Sequence, residues 1–304
     1  MLRMKPGGYQ LTGLGVVLWA VAIASAATVA PMADDFTGPA HSVPDSARWM
    51  SAVRPNATVT VTQDGSSHLV MDVTAQPGNS CGAAICSVRS DFDFFRQPLT
   101  VQWKLDALTG STRTPGNPDR VTSDSNRAFL LMVDGPQDKA TVRDIVPGRV
   151  KTSFGLVVDR ITDDQGAVSY VLRVEQTVHA QVGNNVLFLA SKKLRGGVLP
   201  SLISVTFDHA PNGTQPDKAV LRVTLSGATF TDGTPTLAAV SRELNARFNP
   251  GVLTASAYRQ FHLATGASNN GNARIGTTVK IDKINVQEAG LSTGEDSGPG
   301  GSGR

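Results

Sequence analysis

From about residue 58 the chain alternates apolar and polar side chains over short runs rich in β-branched residues, with Gly, Pro, Asn and Asp between the runs. A period of two puts successive side chains on opposite faces of an extended strand. It predicts strands over Thr58–Thr62, His68–Thr74, Cys86–Phe95, Thr100–Ala107, Ala128–Asp134, Thr152–Ile161, Ser169–Val182, Ile203–His209, Ala219–Ser226, Ala257–Ala264 and Thr277–Val286. Gln63-Asp64-Gly65, Asp163 to Gly166, Pro211-Asn212-Gly213 and Asp232-Gly233 carry turn chemistry between them. The two runs joined by Thr162 to Val168 make the clearest hairpin. Helical spacing occurs once: Leu237, Val240 and Leu244 share a helical face between Pro235 and Phe248, and Pro250 stops it. The expected fold class is therefore all-β, a two-sheet antiparallel sandwich with at most one short helix. Its core is expected to hold Phe129, Leu131, Phe154, Leu156, Val158, Leu172, Val174, Val205, Phe207, Phe261 and Leu263.

Composition agrees with a folded chain. Of 304 residues 40% are hydrophobic and 17% charged, too apolar and too weakly charged for disorder. The first residues read as an export signal. Arg3 and Lys5 precede an uncharged apolar stretch from Leu11 to Ile23, and Ala24-Ser25-Ala26 offers a small-x-small cleavage site. The stretch is shorter than a membrane span needs. Residues 1–26 are thus expected to be a signal peptide, with retention as an N-terminal anchor the alternative, and the protein to be secreted or periplasmic. No stable membrane span is expected after cleavage. Of the 28 basic residues Arg3 and Lys5 lie in that leader, which leaves 26 against 25 acidic ones. A near-neutral body has no basic stripe, so no nucleic-acid partner is expected.

One domain is expected over residues 27–289, with residues 290–304 a Gly/Ser-rich tail too poor in apolar side chains to pack. The polar stretch Thr109 to Arg127 is a long loop. The two cysteines, Cys81 and Cys86, lie five apart. In an exported chain they are expected to close a small disulfide loop.

Asp34-Asp35-Phe36-Thr37-Gly38 with Arg48-Trp49 opens this body, and Gly276 to Val286, Gly-Thr-Thr-Val-Lys-Ile-Asp-Lys-Ile-Asn-Val, closes it. This pairing resembles the concanavalin A-like lectin/glucanase superfamily, including LamG-like exported jelly-roll domains, over roughly Asp34 to Val286. The resemblance implies that the opening and closing strands lie close together. It also implies a link to poly- or oligosaccharides, since the superfamily holds lectins, glycosidases and polysaccharide lyases; fold alone does not choose among them. Within the closing strand Val279 and Ile281 face one way and Ile284 and Val286 the other, so a bulge is expected at Asp282-Lys283. Some relatives hold a structural calcium, to which Asp35 and Asp282 would be the contributors here. One acidic pair falls short of calcium's six to eight oxygens. No metal ligands are assigned, and calcium is the one cofactor left open.

Three strands carry polar stripes. On the first, Arg173, Glu175, Thr177, His179 and Gln181 share the face opposite Tyr170, Leu172, Val174, Gln176 and Val178. On the second, Tyr258, Gln260 and His262 lie opposite Arg259, Phe261 and Leu263. The third offers Arg89, Asp91 and Asp93. If the three share a sheet, they line one groove. Arg173, Glu175, Gln181, Gln260 and His262 are the candidate ligand-binding residues. Should the groove be a lyase site, Arg89 would neutralise a uronate carboxylate, His179 would take the C5 proton and Tyr258 would protonate the leaving oxygen. Against alginate-lyase-like jelly rolls the match is partial: Arg89-Ser90-Asp91-Phe92-Asp93 keeps one arginine of their motif, and Gln176 and His179 lie three apart instead of two. The Glu-x-Asp-x-x-Glu strand of retaining glycosidases of this fold is absent. There is no Gly-x-Ser-x-Gly elbow, zinc spacing or phosphate loop. Three functions stay open: a carbohydrate-binding domain, a polysaccharide lyase or hydrolase, and a structural envelope module without a small ligand.

Overall fold

The computed structural model describes residues 29–53, 58–64, 68–75, 80–89, 91–92, 94, 97–110, 126–134, 153–163, 165–179, 184–209, 218–241, 258–268 and 275–289. The expected signal segment, Gln181, most of the Thr109–Arg127 loop and the tail lie outside the described residues.

Fifteen strands run in chain order: β1 (Met32–Asp34), β2 (Trp49–Val53), β3 (Thr58–Asp64), β4 (His68–Ala75), β5 (Ser80–Ser87), β6 (Leu99–Gly110), β7 (Asn126–Asp134), β8 (Ser153–Thr162), β9 (Val168–His179), β10 (Asn184–Lys193), β11 (Leu202–His209), β12 (Ala219–Ser226), β13 (Thr236–Val240), β14 (Tyr258–Ser268) and β15 (Ile275–Glu288). They form two antiparallel sheets. The eight-stranded one has the order β13-β12-β11-β6-β15-β4-β3, with β1 also paired to β15. The seven-stranded one has the order β10-β9-β8-β7-β14-β5-β2. A single-turn 3-10 segment, Arg195–Gly197, links β10 to β11.

The expected pairing of opening and closing segments is realised: Met32 faces Val286 and Asp34 faces Ile284 across β1 and β15. Asp34 then fixes the entry. Its carboxylate accepts from Phe36 N at 2.8 Å and from Trp49 Nε1 at 2.7 Å, and Arg48 Nη1 approaches it at 3.9 Å. The bulge in β15 is also present, as register shifts on either side of Ile281. It lets Val279 and Ile281, and beyond it Ile284 and Val286, all reach the core. Between the sheets lies that core, with an aromatic chain at its centre. Phe92 packs edge-on to Phe261 at 4.8 Å, and Phe207 contacts Phe94, Phe154 and Phe261 at 5.7, 6.1 and 6.1 Å. Each buried side chain of this size contributes roughly 1.5–3 kcal/mol of burial free energy.

Four expectations need correction. Residues 236–240 are strand β13, not helix: Leu237 and Ala239 are buried while Thr236, Ala238 and Val240 are exposed. Pairing to β12 overrides a helical spacing that three residues alone supported. The strand expected over Cys86–Phe95 instead ends at Ser87 and begins at Ser80. Phe129 and Leu131 do not face the other sheet. Ala128, Leu130 and Met132 do, and Phe129 and Leu131 pack on the outside. Ala128 to Val133 is apolar throughout, so periodicity could not set the phase. Finally, Cys81 and Cys86 cannot be bridged. They stand five residues apart on one extended strand, roughly 16 Å of rise, whereas a disulfide needs Cα atoms within about 7 Å. Cys86 is a free, buried thiol.

Candidate functional site

Two of the polar stripes lie on the seven-stranded sheet, on β9 and β14, while the third, which begins at Arg89, follows the end of β5 in the same sheet, and its Asp93 lies outside the described residues. Antiparallel register places directly opposite residues on the same face, so the outer face can be read in rows. One row runs Met50, Cys86, His262, Leu131, Gly155, Glu175, Phe188 across β2, β5, β14, β7, β8, β9 and β10. The next runs Ala84, Ala264, Phe129, Val157, Arg173, Ser191. Beyond it Arg127 faces Asp159.

This face is not an ordinary wet sheet surface. Ala84, Cys86, Phe129, Leu131, Val133, Val157 and Ala264 form a second hydrophobic cluster, with Met50 packed against it. Strand β8 is buried on both faces from Ser153 through Arg160. Gly155 sits at the centre because a Cβ there would lie 2.2 Å from the Leu130 carbonyl oxygen and 2.8 Å from the Leu131 Cα. Only glycine lets β8 approach β7 so closely.

Four charged groups bridge the cluster to the sheet edge. Asp159, its side chain 1% exposed, forms ion pairs with Arg127 Nε at 2.9 Å and with Arg173 Nη2 at 2.5 Å. Arg173 Nε also donates to Glu175 Oε1 at 3.1 Å. Two cations and two carboxylates leave the group neutral. Burial pushes both carboxyls above their usual range, and the two arginines only partly offset it. At the edge the Arg173 guanidinium lies over the Phe188 ring at 5.1 Å. Phe188 is 64% exposed. A register shift after Phe188 turns Leu189 and Ala190 towards the core and leaves the ring outside. The β10 run Val186-Leu187-Phe188-Leu189-Ala190 has no alternation, so neither this strand nor Phe188 was found from the sequence.

Arg173 and Glu175 thus stand together at the rim of this face. Gln260 and His262 share the face but are closed off, 1% and 0% exposed. Gln260 Nε2 donates to the Ser87 carbonyl at 3.2 Å. Among the described residues neither His262 ring nitrogen has a hydrogen-bond partner, and burial pushes its pKa down to about 3. The adjacent Cys86 thiol donates to the Ser87 carbonyl at 3.4 Å, and burial raises its pKa to about 12.

The residues considered for elimination chemistry are spread out. Arg89 lies beyond the end of β5. Its guanidinium grips Asp91 at 2.7 and 3.0 Å and the Ala30 carbonyl at 2.8 Å, and it rests 4.6 Å from the Phe92 centroid. It ties β5 to the lead-in of β1. The backbones of His179 and Tyr258 sit on β9 and β14, three interstrand steps apart, or roughly 14 Å. A cavity of about 240 Å³ lined by Pro31, Met32, Ala33, Ala47, Arg48 and Arg89 opens at the β1 edge. Its arginines are already engaged, Arg48 with the Ala33 carbonyl at 2.9 Å and Asp45 at 3.6 Å. Asp35 accepts from Thr37, while Asp282 pairs with Lys104. Among the described residues no three His, Cys, Asp or Glu side chains gather as metal ligands.

No protein-family model matches the chain, and no curated protein matches it. Among solved structures it is similar to the carbohydrate recognition domain of Emp46p in its metal-free form, at 11% identity and a TM-score of 0.39, covering 79% of this chain and 88% of that one. It is similar to lectin II from Ulex europaeus at 8% identity and 0.38, covering 86% and 98%. It is similar to the marine PL-14 alginate lyase from Aplysia kurodai at 10% identity and 0.38, covering 85% and 99%. Overlap this loose is silent about ligand and chemistry. The fold stands on the strand pairing itself: two antiparallel sheets, with opening and closing strands side by side. Among the described residues no helix is long and apolar enough to cross a membrane.

Proposed function

We propose that the protein is an exported carbohydrate-binding domain whose ligand lies against the β8–β10 end of the seven-stranded sheet's outer face. The observation that carries this reading is the exposed Phe188 ring beside the Arg173–Glu175 pair. Sugar rings present apolar C–H faces and a rim of hydroxyls. An exposed aromatic ring supplies the first contact, and a guanidinium beside a carboxylate supplies donors and acceptors for the second. Arg173 is already held by Asp159 and Glu175, so little side-chain entropy is left to lose on binding. Ser191 and Lys193 continue the surface along β10.

A polysaccharide lyase or hydrolase is the second reading. The raised carboxyl of Glu175 favours it, since a proton held above the usual range suits a general acid. Glycan-array binding with the purified chain, alongside a degradation screen on the same polysaccharides, tests both. Binding without new reducing ends or unsaturated product supports the domain reading. Turnover abolished by Glu175→Gln supports the enzyme. No binding and no turnover on any glycan overturns both and leaves a structural module. Cell fractionation with N-terminal sequencing tests export: retention of residues 1–26 in the cytoplasm overturns it.

A further inference from the structure

We propose that Met50, Cys86 and His262 form a binding site for a soft monovalent metal ion, Cu(I). The three are consecutive members of one cross-strand row: Met50 faces Cys86 across β2 and β5, and Cys86 faces His262 across β5 and β14. Directly opposed residues on one face have Cβ atoms about 4.5–5.5 Å apart, so a thioether, a thiol and an imidazole stand as neighbours in one row, within reach of a shared ion by side-chain rotation. His262 is the observation that points to a ligand. It is wholly buried with neither ring nitrogen bonded among the described residues, and a buried polar group left unmade costs about 1–3 kcal/mol. Thioether, thiolate and imidazole are a ligand set that selects Cu(I) over harder cations.

Charge decides among the soft ions. The surroundings, Ala84, Leu131 and Ala264, are apolar and offer no counter-charge. Cu(I) on a thiolate, a neutral imidazole and a thioether has no net charge, and a neutral centre suits a desolvated pocket. Binding forms the Cu–S bond and releases the Cys86 thiol proton to solvent; nothing is oxidised or reduced. A divalent ion at the same ligands would leave an uncompensated positive charge. This site is at the β2 side of the face, away from Phe188, and does not depend on the glycan reading.

The test is anaerobic titration of the full chain against Cu(I) held by a chromophoric chelator. The chelator should lose one equivalent of metal per chain, and bound Cu(I) should raise the melting temperature. Cys81→Ser and Arg222→Ala should bind as the parent does. Cys86→Ser should lose transfer. Met50→Leu, which conserves volume and so keeps the fold readable, should weaken binding by at least the tenfold that even an outer partner of a metal site is worth. No transfer from the chelator, transfer that survives Cys86→Ser in a folded variant, or unchanged affinity in Met50→Leu would overturn the proposal.

Discussion

On the eight-stranded sheet the outer face is held by pairs that water reaches. Lys104 meets Asp282, Arg222 meets Asp208 at 3.0 Å, Thr100 meets Thr206 at 3.1 Å, and Asn285 donates to Gln102 at 3.4 Å. Strand β12 there ends in a plain buried–exposed alternation. The outer face of the seven-stranded sheet has the same backbone pattern and a different environment: a hydrophobic cluster, an ionic quartet whose carboxylates are buried and whose arginines are half-buried, and a sequestered histidine. Stability does not require these features on the outside of a sandwich. A sheet face that draws charges partly out of water and also exposes an aromatic ring beside them is the face on which the proposed glycan reading rests.

The contrast is broken most strongly at Asp159. Asp159→Ala removes the buried carboxylate that Arg127 and Arg173 share and should cost about 3–5 kcal/mol. Asp208→Ala, which removes the matching pair on the other sheet, should cost about 1 kcal/mol or less. Urea unfolding of the two variants measures the difference, and equal losses would show that the two faces are energetically alike.

Acid probes the histidine. His262 has its folded-state pKa depressed to about 3 from an unfolded 6.5, so the unfolded chain binds the extra proton first. Stability from this group is full above pH 6.5 and drains as pH falls towards 3, a total on the order of 5 kcal/mol. Asp159 and Glu175 act in the opposite sense. Their raised folded pKa values make folding relatively more favourable as pH drops through them. A pH series of unfolding midpoints on the parent and on His262→Leu should show the acid loss shrinking in the variant. An unchanged slope would place the histidine in contact with water.

Phe188→Ala should be nearly neutral for stability, within about 0.5 kcal/mol, because the ring is on the surface. It should lower sugar affinity by at least tenfold, about 1.4 kcal/mol. Comparison of thermal melts with glycan binding separates the two effects.

The same contrast explains what the sequence disclosed. Strands of the eight-stranded sheet, such as β12 and β15, alternate cleanly because one side is dry and the other wet, and even the β15 bulge was readable from its phase flip. On the seven-stranded sheet both sides are dry in the middle, so Ala128 to Val133 gave no phase and Phe129 and Leu131 were placed on the wrong side. Arg173 and Glu175 were found because polar residues on β9 alternate with Leu172 and Val174. Asp159 was passed over inside the apolar run of β8, and Phe188 inside that of β10. A charge embedded in such a run was the available signal. The cysteines misled because compartment and spacing say nothing about whether the chain between them is extended.

The claim that the seven-stranded sheet is the ligand-bearing one is tested most directly by affinity electrophoresis through gels cast with each glycan found on the array. The parent and Arg222→Ala, which alters only the eight-stranded sheet, should be retarded alike, while Phe188→Ala and Arg173→Ala should run freely in their folded forms. Retardation that is lost in Arg222→Ala and kept in Phe188→Ala would place the ligand on the opposite side of the sandwich and contradict the account.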